Sequence, residues 1–181
     1  GYTSKRSTRL MSVKGDEPPD ARTQFAGVIA QAEAALAEAE ITPEERLKAA
    51  RYLEERLRSS GEFQYSLAMP ERNSKIDPIE DFVTEHPQGN CEFFASALVL
   101  MLRSQGIPAR MVMGYRSADW NPVGGYLQVR QLHAHAWAEV YLDPSQIPDS
   151  LKSPQHDYTG GGWLRLDPTP AEDGFAAATN N

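Results

Sequence analysis

The only cysteine of the chain, Cys91, stands where a nucleophile could be built. Asn90 is a good helix N-cap and Gly106 a good helix terminator, so the apolar run between them predicts a helix that begins at Cys91. Unpaired backbone N–H groups and the positive end of the helix dipole favour a thiolate at this position. Cys91 is therefore a candidate nucleophile, although a lone cysteine is more often a buried core residue.

A base and a carboxylate follow later in the chain. The segment His-Ala-His-Ala-Trp-Ala-Glu reads as a strand, whose alternation puts His133, His135, Trp137 and Glu139 on one side. Periodicity alone does not choose between the two histidines. Asp167 follows a short apolar strand and could orient a histidine, or it could be a turn residue before a proline. A thiol followed by histidine and aspartate is the logic of an acyl-transfer triad.

The hydrophobic pattern changes from helical to strand spacing along the chain, which predicts an α+β fold with an antiparallel sheet. Helices are predicted over about 23–40, 42–61, 77–85 and 91–106, and extended segments over 63–69, 109–115, 125–132, 134–142 and 163–166. The second helix would begin with a Thr-Pro-Glu-Glu capping box and the third with Asp-Pro-Ile-Glu. The expected organisation is a flexible or peripheral N-terminal arm over 1–22, a single domain over 23–175 and a tail over 176–181.

Composition narrows the classes of function. The 181 residues are 40% hydrophobic and 24% charged, as in a globular domain, and the net charge of −7 argues against nucleic acid or an anionic membrane as the main partner. A single cysteine cannot form an internal disulfide, so the sequence does not decide between a cytoplasmic and a periplasmic location. The apolar stretch near Cys91, Ala97 to Leu102, is too short to span a bilayer, and residues 2–15 carry no signal-peptide pattern.

Five segments in order resemble the transglutaminase-like superfamily, especially its bacterial branch. They are Gly-Asn-Cys-Glu-Phe-Phe-Ala-Ser-Ala (89–97), Leu-Arg-Ser-Gln-Gly-Ile-Pro-Ala-Arg (102–110), Met-Gly-Tyr (113–115), Ala-His-Ala-Trp-Ala-Glu (134–139), and Gly-Trp through Asp-Pro-Thr (162–169). The resemblance implies a papain-like fold, the transglutaminase core, with N-terminal helices and a nucleophile-bearing helix. It also implies catalytic Cys91, His135 and Asp167, because the family motif places the catalytic imidazole directly before Ala-Trp.

Other residues have weaker assignments. The backbone N–H of Cys91 is expected to contribute to an oxyanion hole, and Gln88 is either a second donor or an ordinary loop residue. Trp137 is expected in the core and the cleft wall. His133 would line the cleft, and Glu139 either braces the site or forms an ordinary salt bridge. The segment 117–125 is a candidate substrate-facing loop.

The resulting functional hypothesis is acyl transfer on peptide or protein amides through a thioester on Cys91. Peptidase or amidase activity is slightly favoured over cross-linking, because the chain lacks the accessory domains of animal transglutaminases and a clear calcium loop. Two alternatives stay open: an inert interaction domain that keeps the fold, and a metal site formed by His133, His135 and Cys91. No cofactor is expected. Many bacterial relatives are segments of larger membrane-anchored proteins, so this chain could be an excised part of such a protein, and the sequence does not decide this.

Overall fold

The computed structural model describes residues 21–170. Most of the predicted N-terminal arm and all of the predicted tail lie outside these residues, so both stay predictions. The described helices are α1 (Ala21–Gln24), α2 (Ala26–Glu38), α3 (Arg46–Ser59), α4 (Pro78–Thr84) and α5 (Cys91–Ser104). The strands are β1 (Gln64–Tyr65), β2 (Gln88–Gly89), β3 (Ala109–Tyr115), β4 (Trp120–Asn121), β5 (Tyr126–Leu127), β6 (Ala134–Leu142) and β7 (Gly162–Leu166). Short 3-10 turns lie at Gln131–His133, Pro144–Gln146 and Asp149–Leu151.

The predicted α+β class is confirmed. The main sheet has the order β3-β6-β7 and is antiparallel throughout. Helix α5 packs against its central strand, β6. The face of β6 toward the core carries Ala136, Ala138, Val140 and Leu142, all buried, and the small alanines let the helix approach the strand closely. The helix that begins at the candidate nucleophile therefore rests directly on the strand that carries the candidate base.

Local capping signals locate α4 and α5. Asp77 caps α4 by accepting a hydrogen bond from the Ile79 backbone N–H at 2.8 Å, with Pro78 as the first helical residue. Glu80 does more than support its own helix: its carboxylate accepts from the backbone N–H groups of Gly27 and Val28, at 2.6 and 3.0 Å. This contact caps the start of α2 from outside and ties the N-terminal helices to α4.

Four predicted elements differ in extent from those of the structure. Helix α3 begins at Arg46 rather than inside the Thr-Pro-Glu-Glu segment, because that segment closes as a turn with the Glu45 N–H on the Thr42 carbonyl at 3.0 Å. The extended segment predicted over 63–69 shrinks to β1, which pairs in parallel with β2. The strand predicted over 125–132 is only β5, followed by a 3-10 turn. The first predicted helix, 23–40, is divided at Phe25, whose backbone is not helical.

An aromatic cluster holds the first turn of α5. Phe94 is fully buried, and its ring centroid lies 5.1 Å from that of Phe82 on α4 and 6.4 Å from that of Phe63. The neighbouring Phe93 lies 5.7 Å from Phe82. Tilted and edge-on rings at these distances add to the stabilisation that burial alone provides. Phe93 and Phe94, which follow Cys91 closely on α5, are therefore anchored in the core.

Candidate active site

Cys91 occupies the helix start that the sequence predicts. It is the first residue of α5, and the Asn90 side chain caps the helix by accepting from the Glu92 N–H at 3.1 Å. A first-turn residue has no helical acceptor for its own N–H, so the Cys91 amide is left for another group. The thiol is half-buried and not part of a disulfide. This is a partly exposed thiol at the positive end of a helix dipole.

His135 lies on β6 between Cys91 and Asp167. Its Nε2 is 2.9 Å from Asp167 Oδ2, and the Cys91 side chain lies close enough to its ring to raise the pKa of His135. Because Nε2 is engaged with the carboxylate, Nδ1 is the nitrogen left for sulfur. The three residues predicted to act together are therefore brought together in one line: thiol, imidazole, carboxylate.

Hydrogen bonding determines the charge states of His135 and Asp167. The pKa of His135 rises from 6.5 to about 9, mainly through its hydrogen bond with Asp167 and next through that with Cys91, while burial opposes the rise. For Asp167, burial is the largest influence and raises the pKa. The hydrogen bond and charge of His135 outweigh it, so the pKa of Asp167 lies below its ordinary value. At neutral pH the arrangement holds an imidazolium against a carboxylate.

The raised pKa of His135 predicts a loss of stability on the alkaline side. A pKa that is higher in the folded than in the unfolded chain stabilises the fold fully below 6.5, and this contribution is lost as the pH rises through about 9. We expect a proton NMR titration of the His135 ring to show a midpoint near 9. Urea unfolding at pH 6.5 and 9.5 should show a larger drop in the free energy of unfolding for wild type than for His135→Asn. An equal drop in both proteins would contradict the assignment.

Asp167 is held from several sides. Its backbone N–H donates to the buried carboxylate of Glu54 at 2.7 Å, and its carbonyl accepts from the Arg58 guanidinium. Its Oδ2 also lies 3.2 Å from Arg116 and 3.8 Å from Arg165. Glu54 and Arg58 are one helical turn apart on α3, so this helix positions the carboxylate through its backbone. Sequence reasoning missed these residues, since on α3 they read as ordinary polar positions of an amphipathic helix.

His133 does not lie on β6, so the prediction that the two histidines share one face of a strand is wrong. It ends the 3-10 turn and is buried, and its Nδ1 accepts from the Arg130 backbone N–H at 3.0 Å. Its Nε2 faces Asp119 at 3.9 Å. Among residues 21–170, the group of potential ligands that converges is instead Asp81, Glu85 and His86. The alternative metal site of His133, His135 and Cys91 therefore has no support in the geometry.

Trp137 and Glu139 continue the face of β6 that carries His135. The Trp137 ring lies beside that of His135, with centroids 6.4 Å apart and planes 26° from parallel, and Arg165 covers the indole at 4.2 Å. On the next strand, Gly114 leaves room for this ring, since a Cβ there would lie 2.8 Å from it. Glu139 forms a salt bridge with Arg110 at 2.7 Å, which is one of the two roles that the sequence allowed for it. Trp137 is thus a wall beside the imidazole.

The two remaining candidates from the sequence are Gln88 and the loop 117–125. Gln88 is on β2, and its carbonyl accepts from the Arg72 guanidinium at 2.5 Å. The candidate substrate-facing loop, 117–125, includes β4 and part of a hairpin that leaves β3 next to His135 and returns at His133. Pairing of Gly114 with His135 places the hairpin base at the candidate site. Its exposed apolar side chains include Trp120, Tyr126 and Leu127.

Comparison with known proteins gives the family. Residues 34–168 match the family model described as the transglutaminase-like superfamily. The chain belongs to this superfamily. A protein-glutamine gamma-glutamyltransferase of Pseudomonas aeruginosa is 39% identical over 107 residues, which are 59% of this chain and 13% of that protein. The Bacillus subtilis protein YebA is 37% identical over 97 residues, 51% of this chain and 11% of that protein.

Solved structures agree with the transglutaminase-like fold. Two crystal structures of the periplasmic domain of TgpA from Pseudomonas aeruginosa, one of them bound to ethylmercury, align with TM-scores of 0.56 and 0.55. Identities are 31% and 29%, and both alignments cover 82% of this chain but only 47% and 49% of the TgpA domain. The chain thus spans about half of that domain. Within residues 21–170, no helix is long and apolar enough to cross a membrane.

Proposed function

We propose that this chain catalyses acyl transfer on peptide or protein amides through a thioester on Cys91. The observation that carries the proposal is the line from Cys91 through His135 to Asp167, closed by the 2.9 Å contact between imidazole and carboxylate. A thiol at a helix start, a base in hydrogen-bonding contact with it and a carboxylate behind the base are the parts that nucleophilic catalysis at a carbonyl requires. Membership of the transglutaminase-like superfamily supports the same chemistry.

Each residue has a defined step in the proposed reaction. The Cys91 thiolate attacks the amide carbon, and the carbonyl electrons move to oxygen to form a tetrahedral oxyanion. His135 then gives its proton to the amide nitrogen, the carbon–nitrogen bond breaks, and the amine or ammonia leaves behind a thioester. In the second half, His135 takes a proton from the incoming amine or water, which attacks the thioester and releases Cys91. Asp167 keeps the imidazole in position during both transfers.

The acyl donor proposed here is the side-chain amide of glutamine. The name of the Pseudomonas aeruginosa relative, a protein-glutamine gamma-glutamyltransferase, supports this choice for the present chain. Sequence alone slightly favours hydrolysis, and the triad serves both outcomes because water and an amine attack the same thioester. The exposed hairpin that carries Trp120 and Tyr126 is the proposed surface for a protein substrate, since it begins beside His135.

The experiment is incubation with a glutamine-containing protein, with and without a fluorescent primary amine. We expect fluorescence in the protein substrate together with release of ammonia, both absent with Cys91→Ala. Ammonia without fluorescence would make the chain a glutamine amidase, and new peptide termini would make it a peptidase. No product of any kind, with a correctly folded protein, would contradict the proposal and favour an inert interaction domain.

A further inference from the structure

The carboxylate of Asp167 binds a second cation besides His135. Its Oδ2 accepts from His135 Nε2 at 2.9 Å and from Arg116 Nη1 at 3.2 Å. The Asp167 side chain is only 12% exposed, so water competes little for this oxygen. The base of the proposed reaction therefore shares one carboxylate oxygen with an arginine to which the sequence gave no role.

The backbone of Arg116 is fixed where its side chain can reach Asp167. Arg116 directly follows β3, and its N–H donates to the His133 carbonyl at 2.7 Å, which closes the base of the hairpin. Two residues earlier, Gly114 pairs with His135 on β6. Strand β3 thus brings the guanidinium to the end of the sheet where the imidazole lies, although Arg116 and Asp167 are 51 residues apart in sequence.

The neighbouring elements contribute other charged and titratable groups. They are Glu54 and Arg58 on α3, Tyr65 on β1, Cys91 on α5, Arg165 on β7, the Arg110–Glu139 pair on β3 and β6, and Asp119, Arg130 and His133 in the hairpin. Glu54 and Arg58 contact the backbone of Asp167 and not its carboxylate. Arg165 lies 3.8 Å from Oδ2, beyond hydrogen-bonding distance. Among residues 21–170, Arg116 is thus the arginine that donates a hydrogen bond to this carboxylate.

A cation on the shared oxygen opposes the effect of Asp167 on His135. A carboxylate raises the proton affinity of an imidazole that donates to it, and a second positive charge on the same oxygen offsets part of that rise. The offset matters because a general acid works best when its pKa lies near the working pH, whereas the pKa of His135 already rises to about 9. A further rise would make the imidazolium a poorer proton donor.

We propose that Arg116 is a positioning residue that acts through Asp167: it takes up part of the negative charge on Oδ2 and thereby keeps the His135 imidazolium acidic enough to protonate the leaving amine. This role rests on the proposed function. In the step it serves, the carbon–nitrogen bond of the tetrahedral intermediate breaks and its electron pair stays with nitrogen. The proton of His135 moves to that nitrogen, and the oxyanion electrons re-form the carbonyl. Arg116 exchanges no proton in this step.

The test is a proton NMR titration of the His135 ring without substrate. In Arg116→Gln we expect the midpoint to lie about half a pH unit above that of wild type, the size expected from one partly exposed charge. Arg116→Lys keeps the charge and should restore most of the wild-type midpoint. Arg130→Gln is the matched control, because Arg130 is a similarly exposed arginine of the same hairpin that pairs with Asp119 and not with Asp167. Its midpoint should equal that of wild type.

The pH profile of acyl transfer to a fluorescent amine is the second measurement. In Arg116→Gln the alkaline limb should move up by the same amount as the NMR midpoint, because this limb reports the acid that protonates the leaving amine. The maximal rate should fall by about two- to threefold, since a weaker acid gives up its proton more slowly. A purely structural role would reduce stability without moving either the midpoint or the limb.

The possible results separate this inference from the proposed function. An unchanged midpoint in Arg116→Gln, or an equal rise in Arg130→Gln, would overturn the inference and leave the proposed function intact. A lower midpoint would also overturn it, because Arg116 would then orient the carboxylate toward His135 instead of sharing its charge. A shifted midpoint in a protein whose wild type shows no acyl transfer would reject the proposed function, and the role in amine departure with it. A rise in Arg116→Gln alone, with the matching shift of the alkaline limb, supports both.

Discussion

Replacement of His135 by alanine should reduce acyl transfer by about 10²- to 10⁴-fold, the range for loss of a positioned general acid and base. The same change should remove the reactivity of Cys91 toward iodoacetamide at mildly acidic pH, since a histidine-paired thiol reacts at lower pH than an ordinary thiol of pKa about 8.5. The physical reason is the position of His135, which is hydrogen-bonded to Asp167 and close enough to Cys91 for the two side chains to interact. Because the chain has one cysteine, every alkylated molecule reports the same site.

His133→Ala is the matched comparison. This residue is buried and accepts from the Arg130 N–H, so its loss leaves a backbone donor unpaired and should reduce the free energy of unfolding by about 1–3 kcal/mol. Acyl transfer and the pH profile of alkylation should stay near wild type at temperatures where the variant is folded. A profile of Cys91 alkylation that is unchanged in His135→Ala, or that is lost in His133→Ala alone, would reject the assignment of the base.

Short sequence patterns predicted the helix that begins at Cys91 and the strand that contains His135. An asparagine cap followed by an apolar run places the start of α5 at Cys91, because capping depends on residues within one turn. The alternation of alanines and larger residues gives the bounds of β6, since one face must meet the helix. About a dozen consecutive residues specify each of these two elements, because capping and strand alternation depend on interactions between residues that are close in sequence.

Contacts between distant segments decided the features that sequence reasoning missed. The parallel pair β1–β2 is only two residues long on each side, too short for a periodic pattern, yet it sets Tyr65 opposite Gly89, two residues before Cys91. Glu54 lies 113 residues before the Asp167 amide that it accepts from. His133 looked like a strand residue because it alternates with alanine, but its ring closes a turn back to Arg130. No local pattern distinguishes these partners from ordinary polar or aromatic positions.

The largest stability effect is expected at Asp81, a fully buried carboxylate on α4. One oxygen accepts from Arg72 at 2.7 Å, and the other accepts from the Asn73 N–H at 3.1 Å and contacts the His86 ring at 2.9 Å. Burial alone would raise its pKa, but the hydrogen bonds from His86 and Arg72 outweigh burial and lower it. Its stabilising contribution is therefore present above the ordinary pKa of 3.8 and is lost as the pH falls through the lowered value.

Asp81→Ala should reduce the free energy of unfolding by about 3–5 kcal/mol at neutral pH, because it leaves the mostly buried Arg72 guanidinium without its counter-charge. Asp149→Ala removes a carboxylate from an exposed pair with Lys152 and should leave the free energy of unfolding nearly unchanged, because water screens this pair. Urea unfolding of the three proteins measures both differences. Similar small effects in the two variants would contradict the account of Asp81.

The contacts of Asp81 and Arg72 should also affect the position of Cys91. Arg72 also donates to the carbonyl of Gln88 and lies 4.1 Å over the ring of Phe93, so it holds the chain on both sides of Cys91. If Asp81 acts by orienting Arg72, the double variant Asp81→Leu with Arg72→Met should lose less stability than the sum of the two single changes, since neither charge is then left alone. Cys91 alkylation in the folded Asp81→Ala protein should lose part of its reactivity at mildly acidic pH, because the segment that positions the thiol is no longer held. Additive losses in the double variant would instead mean that the two side chains stabilise the fold independently.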